Sequence, residues 1–371
     1  MEFKPTTLFT RLEMRKKKIA IIAPYPPNEA PSQRFRFEQY LSSLEVNNFE
    51  VAVFPFLDIE TWNNFYSKGK MQKKISGFVR GFFKRFTLLF SIRKYDFVFI
   101  HREAAPIGPP IFEFVVAKLL AKKYIYDFDD AIWMENYSEN NARFHRLKAY
   151  WKVKYCIKWA GKVSTGNQFL ANYATKYNAN VFIIPTTIDT ENHHNSLVRH
   201  VKEEVVIGWT GTHSTIRYLS PLMPVFSLLA EKYAVSFLVI SDKNPALSLT
   251  GFNFIRWSKH SEIEDLKKIS IGLMPLVADE WSEGKCGFKG LQYMALGIPT
   301  VLSPVGVNLS IVEHGVNGFF ASEEEEWLYY LEQLIVDPNL REKIGKKSRE
   351  KVIADFSVRA LKPNFIQLFT V

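Results

Sequence analysis

Lys285 and Lys289 stand four positions apart in Gly284-Lys285-Cys286-Gly287-Phe288-Lys289, and the helix-like Gly290-Leu291-Gln292-Tyr293-Met294-Ala295-Leu296 follows at once. A glycine-bearing loop that enters a helix presents backbone N–H groups at the positive end of the helix dipole, where a diphosphate is held. Both lysines would neutralise such an anion and a leaving phosphate, and their spacing puts them on one face if the helix begins early. The plain alternative is two solvated lysines at a helix start. Thr210-Gly211-Thr212-His213 is a second anion-friendly end, with an N-cap by Thr212 or Ser214 as its plain alternative.

Asp127-Phe128-Asp129-Asp130 supports three readings: an Asp-x-Asp pair for a divalent metal, a phosphatase nucleophile pair, or strand-end carboxylates facing a transferred sugar. Asp130 alternatively caps a following helix. His101 ends an apolar run, either as a ligand contact or as a packed strand-end residue. Arg34 and Arg36 follow the first strand, where guanidinium forks suit a phosphate-bearing acceptor; a solvated helix face is the rival. His193, His194 and His200 fit no zinc spacing and are expected to be solvated.

These residues need elements to hold them. Apolar runs at Lys18–Ala23, Glu50–Phe56, Asp96–Ile100, Tyr124–Tyr126, Lys162–Ser164 and Val181–Ile184 read as buried strands, with helical patterns at Arg34–Leu44 and Pro110–Lys122. Residues 186–204 break the rhythm. A second series runs through Val205–Trp209, Val235–Ile240, Phe252–Arg256, Ile271–Pro275 and Pro299–Ser303, and a last helix spans Val358–Phe369. Alternating strand and helix implies parallel sheets, and two α/β domains place the ligand site in the cleft between them. The expected division is a flexible leader 1–17, a first domain 18–186, a linker 187–204 and a second domain 205–356, with the helix 357–371 packing back on the first domain.

The 371 residues are 47% apolar and 23% charged, which excludes a disordered or fibrous chain. Two cysteines exclude a disulfide framework and fit a reducing, cytoplasmic setting. The net charge of +10 is uneven: residues 1–190 carry 29 Lys+Arg against 17 Asp+Glu, and residues 191–371 carry 19 against 21. An anionic partner of the first half is therefore sought among membrane, nucleic acid and phosphate-bearing substrate. Residues 61–95 hold nine Lys/Arg and no acid, with Ile75, Phe78, Val79, Phe82, Phe83, Phe86, Leu89 and Phe90 at helical spacing. That is an amphipathic basic helix suited to an anionic bilayer surface, with Lys73, Phe78, Phe82, Phe83, Lys84 and Arg85 as contacts. The alternative is a domain helix whose Phe stripe packs on the sheet. No apolar run reaches the roughly 18 residues of a span.

Several pieces together resemble family-4 retaining glycosyltransferases, which have the GT-B fold. They are Pro275-Leu276, Trp281, Gly284 to Lys289, Gln292-Tyr293-Met294-Ala295, Gly297-Ile298-Pro299, Ser303 to Asn308 and Gly315-Val316-Asn317-Gly318. Ile207 to Thr212 with Tyr218-Leu219 resembles the first strand and loop of the family's donor domain. Ala23-Pro24, Arg34-Phe35-Arg36, His101-Arg102-Glu103 and Tyr126 to Trp133 resemble one branch of it. The resemblance implies two Rossmann-like domains and a donor site of Gly211, Thr212, Trp257, Glu283, Gly287, Phe288, Lys289, Gln292 and Asn308. It implies catalytic roles for Asp129, Lys285 and Lys289, and an acceptor site of Arg34, Arg36, His101, Arg102 and Asp130. With the donor signature in the second domain, the sugar-facing reading of Asp129 is favoured. The implied partners are a nucleotide-diphosphate sugar and a saccharide acceptor, with no metal and no nucleic acid. The basic helix adds an anionic membrane surface and a lipid-linked saccharide as acceptor, and with them a peripheral place on the inner face of the cell membrane. The family's pair of glutamates eight positions apart falls on Gly284 and Gln292, and a further one on Ser310. A nucleotide-sugar epimerase of the same fold and a non-catalytic binder of anionic polymer are the alternatives.

Overall fold

The computed structural model describes residues 15–65, 69–135, 145–200 and 204–370. Most of the expected leader, and residues 201–203 of the expected linker, lie outside them. The first six strands are β1 (Lys17–Ala23), β2 (Phe49–Pro55), β3 (Phe97–His101), β4 (Ile125–Phe128), β5 (Lys162–Thr165) and β6 (Val181–Ile183). They form one sheet in the order β2-β1-β3-β4-β5-β6. The second sheet is built from β7 (Val205–Gly211), β8 (Val235–Ser241), β9 (Phe252–Arg256), β10 (Ile271–Met274), β11 (Thr300–Leu302) and β12 (Phe319–Phe320), in the order β12-β11-β10-β7-β8-β9. All pairings between these strands are parallel. The expected two Rossmann-like domains are thus observed.

Parallel sheets are covered on both faces, so their strands are apolar throughout. In β1, Ala20 and Ile22 enter a core with Leu88, Phe112 and Ile157, while Ile19, Ile21 and Ala23 enter another with Phe37, Tyr40 and Phe99. The helix Val358–Gln367 lies on that second core: Phe365 stacks on Tyr40 at 4.3 Å between ring centres. Strand order reverses beside β1 in the first sheet and between β7 and β10 in the second. Loops diverge at those points and leave a crevice at the carboxyl ends of the strands.

Two helical expectations need correction. Arg34–Leu44 is not one helix but Pro31–Arg34, a 3₁₀ turn Glu38–Tyr40 and Leu41–Val46, because Arg36 and Phe37 turn into the core. The Pro110–Lys122 segment is a short α-turn, Ile111–Phe114, that widens into a π-turn, Val115–Leu119.

The basic helix spans Met71–Ser91 and buries Gly77, Gly81, Arg85 and Leu88. A Cβ at Gly77 would strike Thr61, and one at Gly81 would strike the Phe56 ring, so the glycines let the helix lie close. Arg85 is therefore no membrane contact. Its Nε donates to the Ala104 carbonyl at 2.7 Å and its Nη2 to that of Ala23 at 2.9 Å, and burial lowers its pKa to about 9. Phe78 is half-buried against Phe56. Phe82 lies edge-on to the same ring but stays exposed. Lys73 reaches Glu60 at 3.6 Å and Arg80 reaches Asp58 at 3.2 Å, so a segment without acids in sequence has them in space. The rest of the Phe stripe does not pack on the sheet: Met71, Ile75, Val79, Phe83, Phe86 and Phe90 face outward, with Lys84 exposed beside them. Among the described residues, no helix is long and apolar enough to cross a membrane.

Candidate active site

The helix Phe288–Ala295 begins one residue after Gly287, whose φ of 67° is the left-handed conformation that favours glycine. Its second residue, Lys289, points back to the end of β7. A Cβ on Gly211 would come within 2.7 Å of Lys289 Nζ, so glycine there makes room for the ammonium. Nζ lies 3.3 Å from Thr215 Oγ1 and 4.3 Å from the centre of the Trp209 ring. Among the described residues no carboxylate pairs with it. Burial, and then repulsion from Lys285, lowers its pKa to about 7. A lysine so placed is a cation short of an anion. The first-turn amides of its helix have no partner within the helix and point the same way.

Lys285 does not share that face. The helix starts too late, and Lys285 instead donates to Asp130 Oδ1 of the other domain at 3.1 Å, with its Nζ 4.4 Å from the Trp281 ring centre. Arg102 joins this group: its Nε donates to Asp129 Oδ1 at 2.7 Å and its Nη2 to Asp130 Oδ2 at 2.6 Å. Against burial, which favours the neutral acid, Lys285 and Arg102 hold the Asp130 carboxyl below the usual range. Among the described residues no helix follows directly on Asp130 for it to cap. The Asp-x-Asp pair that the metal and phosphatase readings require, Asp127 and Asp129, is occupied, Asp129 by Arg102 and Asp127 by Arg36 and His101. Among the described residues no three His, Cys, Asp or Glu side chains gather as a metal cage. Asn167 Nδ2 donates to the carbonyls of Glu283 and Lys285, and Cys286 Sγ lies 3.0 Å from the Asp129 carbonyl, so this turn is docked on the first domain.

Two expected acceptor residues are structural. The Arg36 guanidinium is buried and spends its donors on Asp127, Ser164 and the Ile184 carbonyl. His101 is fully buried, with Nδ1 2.8 Å from Asp127 Oδ2. Against burial, Arg36 and His101 hold Asp127 far below the usual carboxylate range. Neither Arg36 nor His101 is presented to an acceptor. Arg34 is taken as well: it reaches across to Glu262 Oε2 at 2.7 Å, both groups being buried. Glu262 Oε1 lies 3.3 Å from Trp257 Nε1 and 3.4 Å from Gln292 Nε2. No motif or spacing marks Glu262, which reads in sequence as an ordinary first-turn helix acid.

Other donor-site expectations are placed as follows. The Phe288 ring packs on Phe35 of the first domain at 4.3 Å. Asn308 is buried and holds the Ser303 carbonyl through Nδ2 at 2.9 Å, so it shapes its own loop. Thr212 bonds Ser214, and no side chain caps the 3₁₀ turn Ile216–Leu222 that follows. The linker histidines are not all solvated. His193 is exposed, but His194 and His200 are buried, the latter with Nε2 2.8 Å from the Gly297 carbonyl.

Residues 247–351 match the family of glycosyl transferases group 1. The chain is a glycosyltransferase with the GT-B fold. Solved structures that share the fold include sucrose-phosphate synthase from Thermosynechococcus elongatus, 14% identical with a TM-score of 0.69 over 95% of this chain and 98% of that one. A glycosyltransferase from Rickettsia africae is 11% identical, with a TM-score of 0.67 over 96% and 98%. HepE of Anabaena, solved in complex with UDP, is 14% identical, with a TM-score of 0.61 over 95% and 99%. No curated protein matches the sequence. In this glycosyltransferase the family match covers β10, β11 and the helix that carries Lys289. The domain with the unpaired lysine is thus the one the family model describes.

Proposed function

We propose that this glycosyltransferase moves a sugar from a nucleoside-diphosphate sugar to a hydroxyl acceptor, with retention at the anomeric carbon. The observation that carries the reading is Lys289, an ammonium without a carboxylate beside a glycine loop at the crevice of the second sheet. Lys289 and the amides at Gly287 and Phe288 hold the diphosphate, Gln292 faces the ribose and Trp257 the base. HepE was solved with UDP, which makes uridine diphosphate the first nucleotide to try. In the transfer, the bond from the anomeric carbon to the β-phosphate oxygen breaks while the acceptor oxygen bonds to the same face. The departing phosphate oxygen takes the acceptor proton, so no protein base is required. Lys289 and the amides stabilise the charge left on that oxygen. Asp129, oriented by Arg102, faces the donor from the other domain and steadies positive charge at the anomeric carbon. We assign the neutralising work to these groups rather than to a metal.

In this reading the acceptor is membrane-borne. The outward stripe from Met71 to Phe90, flanked by lysines, is the pattern of a helix lying in the headgroup layer of an anionic bilayer. A lipid-linked saccharide, as in building a cell-surface polysaccharide, fits an enzyme resting on the inner face of the cell membrane.

The test is thermal stabilisation by UDP and GDP, followed by turnover of the matching nucleotide sugars. One nucleotide is expected to raise Tm and its sugar conjugates to be consumed. Failure of both nucleotides to bind removes the reading.

A further inference from the structure

Glu262 opens the short helix Glu262–Leu266 after β9 and is only 4% exposed. Of its neighbours, Trp257 and Gln292 belong to the same domain and stay with it when the domains part. Arg34 belongs to the first domain and leaves. Separation therefore bares a carboxylate with an amide beside it. That pair suits a vicinal diol: each carboxylate oxygen accepts one O–H, and the amide donates or accepts.

The helix Phe288–Ala295 supplies the ruler. Gln292 follows Lys289 by three residues, on the same side and about 4.5 Å further along the axis. A nucleotide with its diphosphate on Lys289 thus lays its ribose beside Gln292 and Glu262, and its base toward Trp257. The contact that now fills this place is incomplete. Arg34 Nη1 is buried with no partner among the described residues, so the guanidinium is not satisfied where it sits.

We infer that Glu262 is the carboxylate that binds the ribose diol of the donor, and that Arg34 occupies it across the closed gap until nucleotide enters. The inference rests on the nucleotide-sugar reading above.

Calorimetric titration with UDP and GDP, each beside its 2′,3′-dideoxy form, tests it. The wild-type protein is expected to prefer the ribose form of the nucleotide it binds by about 10- to 100-fold. Glu262→Gln should shrink that preference to about threefold or less, by weakening ribose nucleotide and leaving the dideoxy form unchanged. Because Glu262→Gln leaves Arg34 buried without a counter-charge, Arg34→Met/Glu262→Gln is measured in parallel and should show the same loss. Arg34→Met alone should keep the preference. A wild-type protein indifferent to the diol, or a full preference in either Glu262 variant, overturns the inference. If neither UDP nor GDP binds the wild-type protein, the nucleotide reading itself fails and takes the inference with it.

Discussion

Lys289→Met separates an anion anchor from a structural lysine, because the two roles move stability in opposite directions. In the unliganded protein the ammonium has no carboxylate partner and a pKa of about 7 against an ordinary 10.5. The unfolded chain binds the proton more tightly, so the charge costs stability at neutral pH. The contact with Trp209 returns part of this cost. The net gain from removing the charge is about 1–2 kcal/mol, or about 2–8 °C in Tm for a domain of this size. The sign follows from proton uptake. Below pH 7 both states carry the proton and the penalty is complete; as pH rises from 7 toward 10.5 the folded state alone loses it, and the penalty fades. The Tm advantage of Lys289→Met should therefore be widest at pH 6 and close on the way to pH 10. Nucleotide affinity should move the other way. One charge-assisted contact to a phosphate is worth about 1.5–3 kcal/mol, so Kd should rise about 10- to 100-fold. In the wild-type protein, affinity should fall about tenfold between pH 7 and 8.5 as Lys289 deprotonates, since the phosphates are already ionised there. Scanning calorimetry and titration over that range read both effects. A variant with lower Tm and unchanged Kd would refute the reasoning.

Phe83→Ser/Phe86→Ser should cut binding to anionic vesicles by more than tenfold, since each exposed ring contributes about 1.5 kcal/mol on burial in the interface. Its Tm should stay within about 2 °C of wild type, because neither ring is buried in the fold. A large fall in Tm would make the stripe part of the core. Arg85→Ala on the same helix should instead cost about 1–3 kcal/mol of stability by leaving the buried Ala104 carbonyl without a donor and that of Ala23 with the Phe56 amide alone, which denaturant titration would detect. His194 is buried with neither ring nitrogen bonded among the described residues, and burial, then His193, Arg34 and Arg349, pushes its pKa down to about 3. Between pH 6.5 and 3 the unfolded chain binds the extra proton, so stability is lost as pH falls, by about 1.4 kcal/mol per pH unit. His194→Phe should flatten the acid limb of the Tm profile between pH 6 and 4.5; an unchanged slope would count against this origin.

The sheets were legible because strands buried on both faces are near-continuous apolar runs, as in β1 and β8, whereas the two residues of β12 carry no period. The site was half legible. Spacing places Lys289 at a helix start, but it does not show that Gly287 delays that helix and turns Lys285 to the other domain. Arg36 and Asp127 lie 91 positions apart and Arg34 and Glu262 lie 228 apart, and ion pairs of such separation leave no local trace. Yet these pairs give the site its direction. Burying a charge is costly unless an opposite charge meets it. In the facing loops Arg34 meets Glu262, Arg36 meets Asp127, Arg102 meets Asp129 and Asp130, and Lys285 meets Asp130. Among the described residues Lys289 is left over. A protein that matches its other cations in this gap so closely, and holds the remaining one against a glycine loop with a pKa near 7, has left room for negative charge at that point. Of the candidate ligands a diphosphate meets the requirement best, because it alone uses the ammonium and the helix amides together.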